Sequence, residues 1–120
     1  MNARRPEASQ ERIFKGLANH RRLQILRILK NRGPVSLDKV AEICGIQAPT
    51  ACEHARKLRL AGLVFRRRLR RCIHLELTER GEFALDWAPR LEATTARPLR
   101  TSPPNRAGHR AKQLVILQKY

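Results

Sequence analysis

Aromatic side chains are scarce in this chain of 120 residues: three Phe, one Trp and one Tyr. Carboxylates are few as well, ten Asp and Glu against twenty-six Lys and Arg. They are scattered, no Ser–His or Cys–His spacing stands out, and no Gly-rich phosphate loop occurs, so the sequence offers no catalytic constellation and is not read as an enzyme. Its three cysteines (Cys44, Cys52 and Cys72) are widely spaced and form no CxxC pair. That excludes a disulfide framework and a zinc ribbon, and it fits a reducing compartment. Neither a metal nor another cofactor is expected. Long apolar runs are missing too. The longest purely aliphatic stretch, Leu114-Val115-Ile116-Leu117, falls far short of the ~20 residues a membrane-spanning helix needs. Met1-Asn2-Ala3-Arg4-Arg5-Pro6-Glu7 has two arginines with no apolar stretch behind them, which is not a secretion signal. The expected location is the cytoplasm, with no membrane partner.

What the chain has in excess is positive charge, a formal net +16. Self-repulsion of that size opposes compaction and favours polyanionic partners: DNA, RNA or an acidic membrane surface. Apolar residues make up 42%, enough for one modest core. The chain divides into a basic flexible arm (1–8), a folded domain (9–95) and a Pro/Arg-rich flexible tail (96–120). The tail has no periodicity and no acidic residue after Glu92, so it buries too little apolar surface to offset its ordering entropy. No role is assigned to its apolar end, 111–120.

Periodicity within the domain predicts four helices, two strands and a fifth helix. Ser9 caps the first, with Ile13, Phe14 and Leu17 on one face. The second, from about His20 to Asn31, is apolar around most of its circumference (Leu23, Ile25, Leu26, Ile28, Leu29) and should be central. Gly33-Pro34 ends it. Ser36 caps a short third helix with Leu37, Val40, Ala41 and Cys44 at i, i+3, i+4, i+7, and Gly45 stops it. A fourth helix follows within a few residues, with Pro49 in its first turn and Ala51, Ala55, Leu58 and Gly62 as an inward stripe that Gly62 ends. Cys44 and Cys52 read as core or near-core residues. Helix, short glycine turn and helix is the helix-turn-helix arrangement.

Leu63-Val64-Phe65 reads as a strand. Cys72-Ile73-His74-Leu75-Glu76-Leu77 alternates, with Ile73, Leu75 and Leu77 on one face and Cys72, His74 and Glu76 on the other. The two strands are joined by a basic turn, a hairpin that would serve as a wing. Thr78 caps a last helix with Phe83, Ala84 and Trp87 as its apolar positions, kinked or interrupted at Pro89. The fold class is therefore α+β, mainly α: a winged helix-turn-helix with a two-stranded wing.

The second helix of such a motif enters the major groove, where each base pair exposes its own donors and acceptors. With Ala51, Ala55 and Leu58 inward, a 100° step per residue turns Thr50, Glu53, Arg56, Lys57 and Leu60 outward and leaves His54 on the flank. Ala48 and Thr50 lie at the end expected to reach DNA first. Glu53 can accept from a cytosine amino group or pair with Lys57 at i, i+4. His54 or Arg56 can donate to guanine or phosphate. From His54 to Leu75 there is no acidic residue, and Arg66, Arg67, Arg68, Arg70 and Arg71 fill five of six consecutive positions. Such a wing suits the phosphate backbone or a narrow minor groove. His20, Arg21 and Arg22 are candidate phosphate contacts.

Three stretches resemble the ArsR/SmtB family of winged-helix repressors, over roughly Arg12 to Leu85. Leu17-Ala18-Asn19-His20-Arg21-Arg22-Leu23-Gln24-Ile25-Leu26 is similar to the family's entry to the second helix. Pro49-Thr50-Ala51-Cys52-Glu53-His54-Ala55-Arg56-Lys57-Leu58-Arg59-Leu60-Ala61-Gly62-Leu63-Val64 matches its recognition helix in spacing, and Leu77-Thr78-Glu79-Arg80-Gly81 resembles the opening of its last helix. The resemblance implies a homodimer through the first and last helices, binding a palindromic operator on double-stranded DNA as a repressor. It also implies an inducer. Where the family's arsenic and cadmium sensors carry Cys-x-Cys, this chain has Ser36 and Asp38. Glu79 to Ala88, where zinc and nickel sensors place ligands, holds no histidine. No metal response of those kinds is expected, and the small-molecule effector stays unnamed. Cys52 and Ala55 depart from the family's serine and leucine, and the wing turn lacks its glycine, so base contacts carry over best at Thr50 and His54. The alternative reading is an RNA- or ribosome-associated winged-helix module without operator specificity, since arginine-rich segments also suit RNA.

Overall fold

The computed structural model describes residues 6–99, which form α1 (Pro6–Leu17), α2 (His20–Arg32), β1 (Val35–Ser36), α3 (Leu37–Cys44), α4 (Ala48–Leu60), β2 (Val64–Leu69), β3 (Cys72–Leu77) and α5 (Glu79–Ala93). The first five residues of the expected arm and positions 100–120 of the expected tail lie outside the described residues. Residues 6–8 already belong to α1, so Ser9 sits inside that helix and caps nothing. Proline is tolerated in a first turn because its missing N–H would have no partner there.

α2 is the central element. Asn19 caps it, its Oδ1 accepting from the backbone N–H of Arg21 (2.8 Å) and Arg22 (3.2 Å). Ile25 and Leu26 are fully buried, joined in the core by Val40, Leu58, Leu63, Val64 and Leu75. Each such side chain contributes about 1.5–3 kcal/mol relative to exposure. At the far end Gly33 caps through its N–H to the Leu29 carbonyl, 2.9 Å.

The sheet has three strands where the sequence suggested two, in the order β1-β3-β2 and antiparallel throughout. Val35 pairs with Leu75 and Ser36 with His74. Two residues are too short to display the alternation that betrays a strand. Ser36 also caps α3, its Oγ accepting from the Lys39 N–H at 3.1 Å. α3 ends where Gly45 takes a left-handed conformation (φ 67, ψ 36) and returns its N–H to Ala41 and Glu42. Only glycine occupies that region without steric cost, and the turn it makes sets α4 against α3.

α4 stops at Leu60 with Ala61 as its cap, two residues before Gly62. Cys44 is buried as expected, but Cys52 is exposed, so it is not a core residue. β2 takes in Arg66, Arg67 and Arg68, leaving only Arg70-Arg71 as the turn between the Leu69–Cys72 pair.

Thr78 caps α5 by accepting from Gly81 N–H (3.0 Å) while its hydroxyl donates to the Gly62 carbonyl (2.7 Å). Gly81 is pressed onto the chain entering β2: a Cβ there would lie 2.3 Å from the Leu63 carbonyl oxygen. Lys30 on α2 pairs with Glu82, tying α5 down. The helix is not interrupted at Pro89 and continues to Ala93.

The largest departure concerns Trp87, whose apolar position reads as packing: it is exposed, and so are Phe14, Phe83 and Leu91, the last at 69%. Ala84 and Leu85 are the α5 residues that pack against the core. Phe83, Trp87 and Leu91 fall at i, i+4 and i+8, one continuous apolar stripe. The Phe83 and Trp87 rings lie 5.7 Å apart, and Arg90 sits 5.7 Å from the Trp87 ring centre.

Candidate nucleic-acid interface

The outward face of α4 divides into two halves. At the N-terminal half Ala48, Thr50, Cys52 and Glu53 are exposed. Gln47 caps the helix without a side-chain hydrogen bond, so the first-turn N–H groups of Ala48 and Thr50 remain for an outside acceptor. At the C-terminal half α1 closes in. Gly16 packs against Ala61, and Arg56, Lys57 and Leu60 form one wall of a groove whose other wall is α1. Base reading by a recognition helix concentrates at its N-terminal residues, and that is the unobstructed end here.

Glu53 is held by Arg56 rather than by Lys57. Arg56 reaches both carboxylate oxygens (3.2 and 2.6 Å), whereas Lys57 stands 4.0 Å away. The Arg56 hydrogen bond keeps the Glu53 carboxyl below its usual range. Its acceptors are therefore partly occupied before any base arrives.

Arg22 is a correction. It is not a surface cation available to phosphate: only 7% of it is exposed. Its Nε donates to the Gly16 carbonyl (2.8 Å), its Nη2 to the Lys15 carbonyl (3.0 Å), and its Nη1 lies 3.2 Å from His54 Nδ1. These contacts satisfy the end of α1 and fasten α4 to it. Because a guanidinium only donates, His54 Nδ1 must accept, which makes the imidazole neutral with its proton on Nε2. His54 is accordingly half-buried rather than turned fully outward. Burial first, then the neighbouring Arg22 and Lys57 charges, push its pKa below the ordinary histidine value, against an opposing pull from Glu53. His20 is exposed, and Arg21 is half-buried with Nη1 on Gln24 (3.1 Å).

The folded-state pKa of His54 lies below the unfolded value of about 6.5, so the unfolded chain binds the extra proton. The contribution is fully present above the unfolded pKa and is lost as pH falls through about 6.5 towards the folded value. Urea midpoints at pH 7.5 and 5.5 should therefore fall further in the native chain than in His54→Gln. Equal losses would contradict the Arg22–His54 assignment.

All five wing arginines are exposed. Alternation puts Arg66 and Arg68 opposite Leu75 and Ile73, while Arg67 shares the other face with His74 and forms an ion pair with Glu76 at 3.0 Å. Positive charge thus covers both faces of the ribbon. Arg70 occupies the left-handed region (φ 58), a position where glycine would be cheaper by about 1–2 kcal/mol. No local signal marks the Arg22–His54 contact, because the two residues lie 32 positions apart. The role of Asn19 as a cap was open to reading from its place before His20.

No family model and no curated protein matches the sequence. Solved structures do. A possible transcriptional regulatory protein from Mycobacterium bovis superposes with a TM-score of 0.67 at 27% identity, over 72% of this chain and 94% of that one. The solution structure of a homodimeric winged helix-turn-helix DNA-binding domain from the same organism, a possible ArsR-family regulator, gives 0.64 at 26% identity over 84% and 99%. The transcriptional regulator HlyU from Vibrio vulnificus gives 0.58 at 27% over 71% and 88%. The neighbours are transcription regulators rather than enzymes.

Proposed function

We propose that this chain, a winged helix-turn-helix protein whose solved neighbours are ArsR-family and HlyU-type transcription regulators, is a sequence-specific DNA-binding repressor. It acts as a homodimer on a palindromic operator, in the cytoplasm and on the nucleoid. The single observation that carries the reading is the free N-terminal half of α4 flanked by a wing with five exposed arginines. Thr50 and the first-turn N–H groups face the groove. His54 presents Nε2–H from the flank, and Arg66, Arg67, Arg68, Arg70 and Arg71 grip the backbone, with His20 and Arg21 as further phosphate contacts. Ala48 sits where only a small side chain lets the helix approach closely. Arg56 and Lys57 serve the interface electrostatically from beside the α1 groove. A cation kept at a strained turn position fits a wing selected for charge, because such strain concentrates at functional sites.

The dimer rests on the exposed stripe of α5 and on Phe14 of α1. A contiguous aromatic patch on a small domain marks an interaction surface, and one of the neighbours is a homodimer. Two-fold symmetry then requires two half-sites about one helical turn apart, ~34–36 Å.

Competition in a gel-shift assay separates this from an RNA-binding role. A palindromic duplex recovered from chromatin bound by the protein should displace the labelled operator at least ~10³-fold better than structured RNA or scrambled duplex. Equal competition by RNA would contradict the reading.

A further inference from the structure

The groove between α1 and α4 has a volume of about 620 Å³, within the size range of small-molecule sites. Its walls carry Arg12 and Lys15 from α1 and Arg56 and Lys57 from α4, with Glu11 as the one acidic lining residue. Lys15 is bound to Glu11 at 3.0 Å, and Arg56 to Glu53. Even so, cations outnumber carboxylates around the opening. Between them lie Ala8, Ala18 and Leu60, the last with 57% of its surface exposed although it is a leucine. Arg22 also lines the groove. It is buried, it donates to two carbonyls and a histidine, and it makes no ion pair among the described residues. A desolvated guanidinium with no direct ion pair and only the more distant Glu53 carboxylate as counter-charge is costly, and an anion in the adjoining groove offsets that cost.

The geometry points to an effector site: the α1–α4 groove binds a small organic anion with an apolar body, a carboxylate or phosphate whose charge meets Arg12 and Lys15 and whose body covers Leu60. Phe14 lies about 100° around α1 from Lys15, so the apolar surface offered to a second protomer and the groove use different faces of the helix. The consequence for regulation rests on the DNA-binding reading. An anion seated there engages Arg56 and Lys57 on the recognition helix itself and lowers the positive potential that α4 offers to phosphate. Occupancy should therefore weaken operator binding.

The test uses the full chain and hexanoate as the probe, with hexanol (the same body without charge) and inorganic phosphate (charge without the body) as comparators. Calorimetry without DNA should show one saturable hexanoate site per protomer, with hexanol and phosphate binding about tenfold or more weakly. Arg12→Gln with Lys15→Gln should lower hexanoate affinity about tenfold. It should leave operator affinity in the absence of probe unchanged, since neither residue belongs to the proposed DNA interface. Saturating hexanoate should reduce operator affinity in the native chain and not in the double variant. Three results overturn the proposal: no saturable binding up to about 10 mM, equal binding by the double variant, or loss of operator affinity in the double variant without probe, which would make the groove a seat for DNA phosphate. Failure of the DNA-binding reading shows separately, as calorimetric binding of hexanoate by a protein that prefers no duplex.

Discussion

Replacing Arg67, Arg68 and Arg70 with Ala should flatten the salt dependence of operator binding while leaving the preferred sequence largely unchanged. A dimer making ~8 phosphate contacts has a log K against log salt slope near −7, since each neutralised phosphate contributes about −0.9. Three arginines per wing are six per dimer, so their loss should flatten the slope by up to about 5, while Arg66, Arg71, His20 and Arg21 keep the remaining contacts. All three side chains are exposed and, among the described residues, only Arg67 has an acidic partner, Glu76, so their removal disturbs little of the protomer's packing. Surface pairs of that kind contribute at most about 1 kcal/mol. Fluorescence anisotropy at four salt concentrations checks the slope, and a panel of variant operators checks the preference. An unchanged slope would remove the wing from the interface. A changed preference at constant slope would make it a base reader.

The second large effect should come from α5. Phe83 and Trp87 are exposed, Trp87 to 48%, with their tilted rings 5.7 Å apart. Phe83→Glu with Trp87→Glu should therefore leave the protomer folded while abolishing dimerisation, because two facing stripes would each bring a pair of carboxylates to the seam. Losing the second half-site removes the gain from effective concentration, typically a factor of 10²–10⁴ in affinity. Sedimentation velocity should show a monomer with unchanged circular dichroism, and operator affinity should drop at least 100-fold. A variant that stays dimeric would place the interface elsewhere.

Much of this molecule was legible in the chain because its signals are local. Ser36, Gly45 and Thr78 announce helix ends through their own side chains or their lack of one, and the structure has helix boundaries at all three. α2 declared itself by apolar residues on nearly every side. What was not legible depends on contacts between distant segments. β1 exists because Val35 and Ser36 meet Leu75 and His74, some forty positions away. Arg22 looked like one more cation in a basic run, and only the approach of α1 and α4 turns it inward. Phe14, Phe83 and Trp87 obeyed helical spacing, but spacing cannot separate a stripe that packs on its own core from one left for another molecule. Trp87 reads as a packing residue and stands on the surface beside Phe83.

The central claim is that the N-terminal half of α4 lies in a duplex groove, and Cys52 allows it to be tested directly. Cys52 is an exposed thiol on that helix, Cys44 is buried, and Cys72 is exposed at the wing. With Cys72→Ser, a photoactivatable azide attached to Cys52 should cross-link to a few adjacent bases in each half-site, the two clusters separated by about one helical turn. Cross-links spread evenly along the operator, or none from Cys52 while a probe on Cys72 alone still labels the DNA, would show that α4 does not enter the groove.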